Sequence, residues 1–187
     1  MKKLVSLTIL VFQLFTYDVL AAGVDLTIAS DMAALDLTQV DETRGSAWSL
    51  GLTRNDDFRA TSASLAYRAI GNLNAASNIQ AGVGWKVSYH NTFQSSYSLA
   101  AGISLRYQPA NLSSLGFEVQ GFMAPEVLNS NDAERYHELM ARVTYDLHSR
   151  ATVFAGWMNK SLRYQDSVAV REVEFADGLM AGFSLVF

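Results

Sequence analysis

The sequence predicts an all-β fold, a transmembrane antiparallel up-and-down β-barrel of 8 to 10 strands. Three observations carry that prediction. At the C-terminus Leu179, Ala181, Phe183, Leu185 and Phe187 are apolar at every second position, and Met180, Gly182, Ser184 and Val186 between them are mostly small. The same period of two, the mark of a strand with two unlike faces, recurs in seven segments upstream. Finally, 50% of the chain is hydrophobic, yet no apolar run beyond the N-terminal region approaches the ~20 residues a membrane-crossing helix needs. An apolar strand left at an open edge invites aggregation. A barrel that closes on it, with the apolar face toward lipid, removes the edge.

The N-terminus reads as a secretory signal peptide. Lys2 and Lys3 precede an apolar run from Leu4 to Phe15, and small residues follow, so cleavage is expected after Ala21 or Ala22. That leaves about 165 residues as one barrel domain, residues 22–187, with 22–45 of unassigned structure. Loss of Lys2, Lys3 and Asp18 moves the formal charge from −4 to −5. A weakly acidic chain lacks the basic stripe that nucleic acid requires. There is no cysteine, hence no disulfide and no lipidated thiol.

Residues 24–40 hold two phases, Val24, Leu26 and Ile28 in one and Leu35 and Leu37 in the other. Two short strands here would make ten in all, whereas a plug or small helix would leave eight. Nine would put the termini on opposite sides, against the even counts of bacterial barrels.

Eight segments then alternate cleanly: 46–54, 59–69, 77–89, 96–107, 114–124, 135–147, 150–162 and 173–187. In 77–89, for example, Ile79, Ala81, Val83, Trp85, Val87 and Tyr89 oppose Gln80, Gly82, Gly84, Lys86 and Ser88. Each is near the ~9–11 residues that a tilted strand needs to cross a bilayer. Counting back from the C-terminus, the connections are long at 163–172, tight at 148–149, long at 125–134 and short at 108–113. Next come 90–95 and 70–76, similar in length, and a short 55–58. Long outer loops over short periplasmic turns are expected of such barrels.

If the apolar faces meet lipid, the opposite faces line the interior. They carry Arg68, Lys86, Arg106 and Arg142 with Glu118, Glu138 and Asp146 among many small residues. Mixed charges in so narrow a space are expected to pair, because an unpaired buried charge costs several kcal/mol. A barrel of about eight strands is just filled by its side chains, which predicts a packed polar interior. Ten strands with a gap in the packing would make a narrow conduit for small polar solutes instead. On the apolar faces, Tyr67, Trp85, Tyr89, Tyr97, Tyr107, Tyr145 and Trp157 are candidates for the headgroup level, where amphipathic rings settle. Phe183, Leu185 and Phe187 form a candidate C-terminal assembly signal.

Signals for chemistry are sparse. His90 opens the 90–95 loop, His137 lies at the outer end of its segment, and His148 sits in a tight turn beside Ser149. His90 and His137 would then be solvated histidines of the outer rim, and they are the two catalytic candidates, each a base for lipid chemistry. The runs Asn55-Asp56-Asp57 and Asn129 to Glu134 are ordinary turn material without Ca²⁺-loop spacing. No pattern asks for a metal or a cofactor.

The run Leu115-Gly-Phe-Glu-Val-Gln-Gly-Phe-Met-Ala-Pro-Glu-Val-Leu128 is followed by Tyr136-His-Glu-Leu-Met-Ala-Arg-Val-Thr-Tyr-Asp-Leu147, then Val153-Phe-Ala-Gly-Trp157 and Gly178-Leu-Met-Ala-Gly-Phe-Ser-Leu-Val-Phe187. In order and spacing these resemble the YfaZ family of small Gram-negative outer-membrane proteins. The resemblance implies an integral outer-membrane barrel and carries over no catalytic residue. The expectation is therefore a bacterial outer-membrane barrel with a structural or interaction role at the cell surface. Its partners would be outer-membrane lipid, lipopolysaccharide and, during insertion, the barrel-assembly machinery, with no nucleic acid. A narrow channel and a rim enzyme acting on lipid are the alternatives.

Overall fold

The computed structural model describes residues 21–41, 43–73, 78–165 and 170–187; the expected signal peptide lies outside them, apart from its last residue. Ten strands follow in order: β1 (Ala21–Ala29), β2 (Met32–Asp41), β3 (Ser46–Asn55), β4 (Ala60–Asn72), β5 (Ile79–Asn91), β6 (Ser95–Tyr107), β7 (Leu115–Ala124), β8 (Ala133–His148), β9 (Ala151–Gln165) and β10 (Val170–Val186). Each pairs antiparallel with its neighbour in sequence, and β1 pairs with β10 to close the barrel. No helix among the described residues is long and apolar enough to cross a membrane; a single 3-10 turn, Glu126–Leu128, interrupts one loop.

The phase change in the N-terminal stretch is a hairpin. β1 turns at Ser30-Asp31 into β2, so Leu26 faces Leu35 and Val24 faces Leu37 across the ladder. Both sets point outward, and the even–odd switch between them is what a two-residue turn imposes. At the opposite end, the hairpin from β2 to β3 places Gly45 at φ 60, a conformation that glycine enters without strain. The Gly45 carbonyl there accepts the Ile70 N–H at 2.7 Å.

β1 begins and β10 ends at one end of the barrel, here called proximal. The strands extend further than the alternation suggests at the other, distal end. β5 continues to Asn91, so the expected 90–95 loop shrinks to 92–94, and β9 and β10 run into the expected 163–172 loop. The distal connections at 30–31, 56–59 and 92–94 are two to four residues, and four residues separate β9 from β10, so the expected long outer loop is found only between β7 and β8, at 125–132.

Outside, the barrel shows a broad band of apolar side chains, with Ile103 67% and Leu179 82% exposed, while the distal ends of β8, β9 and β10 turn Arg135, His137, Asn159, Arg163, Glu172 and Glu174 outward. An apolar band of this extent suits hydrocarbon and not water. Inside, β10 changes phase. Met180, Gly182 and Ser184 alternate on the lumen side below an irregularity between Glu174 and Ala176, whereas Val173 and Phe175 are the buried residues above it. One extra residue in a strand shifts every later side chain to the other face.

Closure places the last residue in the ladder region, where the Phe187 N–H donates to the Ala22 carbonyl at 2.9 Å. Deleting Phe187 should lower the yield of folded, heat-modifiable barrel on electrophoresis of membrane fractions. An unchanged yield would contradict a closing role for the β10 end.

Candidate functional site

The lumen is built in three tiers. The proximal tier is a polar vestibule of about 750 Å³ opening at the proximal end. Arg142 reaches Glu118 at 2.8 Å and Asp25 at 3.3 Å, and Arg68 donates to Gln120 Oε1 at 2.6 Å. Arg106 stands opposite Glu118 in the ladder. Asp146 lies apart from this group and accepts the Thr152 hydroxyl at 2.6 Å.

The middle tier is organised by one carboxylate. Glu138 accepts from Lys86 Nζ at 2.6 Å through one oxygen and from the Tyr136 hydroxyl at 2.6 Å through the other, with Lys160 Nζ at 3.8 Å. Lys160 also donates to Thr53 Oγ1 at 3.1 Å. Interior cations lie over rings as well: Lys86 over Phe122 at 4.4 Å and Arg142 over Phe154 at 4.5 Å. These rings have room because glycines stand beside them, Gly102 against Phe122 and Gly182 against Phe154. A cavity of about 80 Å³ remains between these tiers, space for a few waters.

The distal tier is packed with apolar and aromatic side chains, among which His90, Ser62, Ser96 and Ser98 are also buried, and this corrects the expectation of a uniformly polar interior. Tyr136, Leu162 and Phe175 have no exposure at all, and Tyr164 has 2%. Asn55 secures this plug by donating to the Phe175 carbonyl at 3.1 Å, and Tyr164 shares its hydroxyl with Ser96 at 2.9 Å. Sequence reasoning missed Phe175 because the irregularity in β10 reverses its face. It also missed Lys160, which sits in the polar phase of β9 near the strand's distal end, and Asp25, which belongs to the stretch that alternation left unassigned.

His90 requires the largest correction. It is not a solvated rim residue but lies within β5, fully buried in the plug, with ring contacts to Tyr136 at 5.0 Å and Phe175 at 5.4 Å. Neither ring nitrogen has a hydrogen-bond partner among the described residues. A base sealed from solvent and from the outer wall cannot reach a lipid ester, so His90 is a packing residue.

His137 faces outward on distal β8. Its Nε2 lies 2.6 Å from Asn159 Oδ1, and the Asn159 amide nitrogen donates to Asp177 at 3.1 Å. That chain makes Nε2 the protonated nitrogen and turns Nδ1 toward Ser161 Oγ, 3.3 Å away. The Ser161 hydroxyl, however, donates to Glu172 at 2.7 Å, and the residue is 1% exposed. An acyl-transfer site needs the hydroxyl proton directed at the imidazole and an open path for the carbonyl. Here the carboxylate holds the hydroxyl and the path is covered. His148 and Ser149 lie 3.1 Å apart in an exposed proximal turn.

Of the aromatic candidates, Tyr89 and Tyr97 form a contact at 5.1 Å near a distal turn, and Tyr107 and Tyr145 occupy the proximal third. Tyr67, Trp85 and Trp157 lie near the middle of their strands instead of at the ends. Phe183 and Leu185 pair with Leu26 and Val24 at the β1–β10 seam. The candidate turn ligands are engaged in local bonds: Asn129 donates to the Pro125 carbonyl at 2.9 Å and Asp56 pairs with Arg54 at 2.7 Å. Among the described residues, no group of three or more His, Asp or Glu side chains could hold a metal ion.

With the closed barrel and its three tiers established, comparison with known proteins adds a family. The whole chain, residues 1–187, matches the family described as YfaZ precursor. This chain belongs to the YfaZ family. No curated protein matches it in sequence. Among solved structures, a KdgM porin superposes with a TM-score of 0.50 at 9% identity, covering 89% of this chain and 99% of that one. The outer-membrane protease OmpT of Escherichia coli gives 0.41 at 8% identity, covering 90% and 93%. The porin likeness shows that this YfaZ-family chain shares the fold of an outer-membrane β-barrel.

Two variants probe the lumen of this YfaZ-family barrel. Glu138→Ala strands two buried lysines and should destabilise the refolded barrel by about 3 kcal/mol in urea titrations. His90→Phe gives up no polar contact with the described residues and should hold stability within about 1 kcal/mol. A loss as large as that of Glu138→Ala would show that the imidazole carries a polar role.

Proposed function

We propose that the mature chain is an integral outer-membrane barrel, sealed to solutes, that serves a structural or interaction role at the cell surface. The carrying observation is the distal plug: Tyr136, Leu162 and Phe175, none with any exposure, fill the bore above a Glu138 hub that already binds Lys86 and the Tyr136 hydroxyl. A hydrated ion crossing this layer would have to displace buried aromatic rings, and a gap large enough for a file of water is what the channel reading lacks. The proximal vestibule is then a blind cup. In this reading outer-membrane lipid and lipopolysaccharide surround the apolar wall. The barrel-assembly machinery meets the Phe183–Leu185–Phe187 end during insertion, after export through the inner membrane by the N-terminal signal.

Planar-bilayer recording of the refolded protein tests the seal. No discrete conductance is expected from the wild-type chain. The double variant Tyr136→Ala/Phe175→Ala, which removes both rings from the plug, should show current steps. Stable unitary steps from the unmodified barrel would overturn the sealed reading in favour of a narrow channel.

A further inference from the structure

The apolar outer wall carries a groove between β4 and β8. Two neighbouring cross-strand rows run from β4 to β8, Tyr67–Trp85–Ala101–Met123–His137 and Ala69–Val83–Ile103–Gly121–Leu139. Ala101 and Gly121 sit at their centre, where larger residues flank them, and the dent opens into a groove of about 1040 Å³. At one end Tyr67, tilted, and Trp85, edge-on, pack against Trp48 in a three-ring wall, at 4.8 Å and 5.7 Å from the Trp48 ring. At the other end stand His137 and Arg135.

That second end is polar and cationic. Arg135 lies directly opposite Arg163 in the β8–β9 ladder, a like-charge pairing that destabilises a sheet unless it is answered. Glu134 answers Arg163 at 2.8 Å, while Arg135 is exposed and makes no ion pair among the described residues. The groove thus presents an apolar trough ending at a free guanidinium. It spans four interstrand spacings, roughly 19 Å, of the order of the ~15 Å that one leaflet of acyl chain covers. An apolar floor offers nothing to satisfy a peptide's amides, which excludes a polypeptide strand as occupant. The guanidinium fork matches a phosphate.

We propose that this groove is a specific seat for one lipid A moiety of lipopolysaccharide. One acyl chain lies over Ala101 and Gly121, and a phosphate sits on Arg135. This inference rests on the outer-membrane reading above, with the distal end in the outer leaflet, and it adds a site and a ligand class that reading does not contain. No covalent step is involved: Ser161 stays hydrogen-bonded to Glu172, and the lipid is held, not cleaved.

The test is native mass spectrometry of the refolded mature chain in detergent, titrated with lipid A. The wild-type barrel should retain one lipid A. Arg135→Ala should weaken retention roughly ten-fold, and lipid A stripped of its phosphates should show the same loss on the wild-type protein. Gly121→Leu should abolish the adduct by filling the trough. A Cβ at that position meets only Leu139 Cδ1 at 3.6 Å and Glu138 O at 3.8 Å, so the barrel itself tolerates it. Arg54→Ala, an exposed arginine on β3 outside the groove, should bind as wild type. Excess inorganic phosphate should not displace the lipid, since the acyl chain supplies much of the hold. Equal retention by all variants, or displacement by phosphate alone, overturns the seat. Heat-modifiable mobility of each variant in vesicles reports insertion separately. An inserted barrel without lipid A sinks only this inference, whereas a chain that does not insert sinks the outer-membrane reading with it.

Discussion

Every feature of this molecule follows from the requirement that no backbone N–H or C=O be left without a partner where water cannot supply one. In hydrocarbon each such orphan costs several kcal/mol. Ten strands meet the requirement by pairing in sequence order and then pairing the last with the first, so that β10 hydrogen-bonds to β1 from Gly23–Val186 to Ala29–Met180. Once the cylinder is closed, the two faces of each strand have separate solvents. One is committed to apolar side chains over most of its area, the distal ends of β8 to β10 excepted. The other is committed to filling a bore of fixed width.

The bore is filled by layering chemistry along the axis. A single carboxylate, Glu138, receives a lysine and a tyrosine hydroxyl, so three polar groups leave water together with their bonds made. Glycines at Gly102 and Gly182 let Phe122 and Phe154 lie flat against the wall, and those rings in turn lie beneath Lys86 and Arg142. Buried ion pairs are often no better than apolar packing in energy. Here they have a different use: they allow a polar strand face to become the interior of a closed barrel.

Much of this was legible in the sequence. Alternation gave eight of the strands, and with them the barrel, because a period of two survives whatever the partner strand is. The β1–β2 hairpin was visible as a change of phase between Ile28 and Leu35, but a phase change alone does not distinguish a turn from a plug. What alternation could not carry is where a strand stops. His90-Asn91 reads as polar loop after Tyr89, yet the ladder continues through both, so a residue taken for the rim is sealed in the bore. Nor does local pattern show pairings across the lumen. Lys86 and Glu138 are 52 positions apart, and Arg142 and Asp25 are 117 apart. The groove on the outer wall is equally hidden, since Ala101 and Gly121 become neighbours only when β6 and β7 are in register.

The irregularity at Glu174–Ala176 shows how little separates a stopper from an orifice. Below it the even-numbered residues of β10 look inward; above it the odd-numbered ones do, and this alone brings Val173 and Phe175 into the lumen. If β10 ran past this point in unbroken register, the upper strand would be rotated by one position. Phe175 would turn outward, and the acidic side chains of Glu172 and Glu174 would turn into the bore. Two carboxylates would then enter the mouth where an aromatic ring now helps to cork it, so the stopper depends on the register of one strand as much as on the kind of its residues.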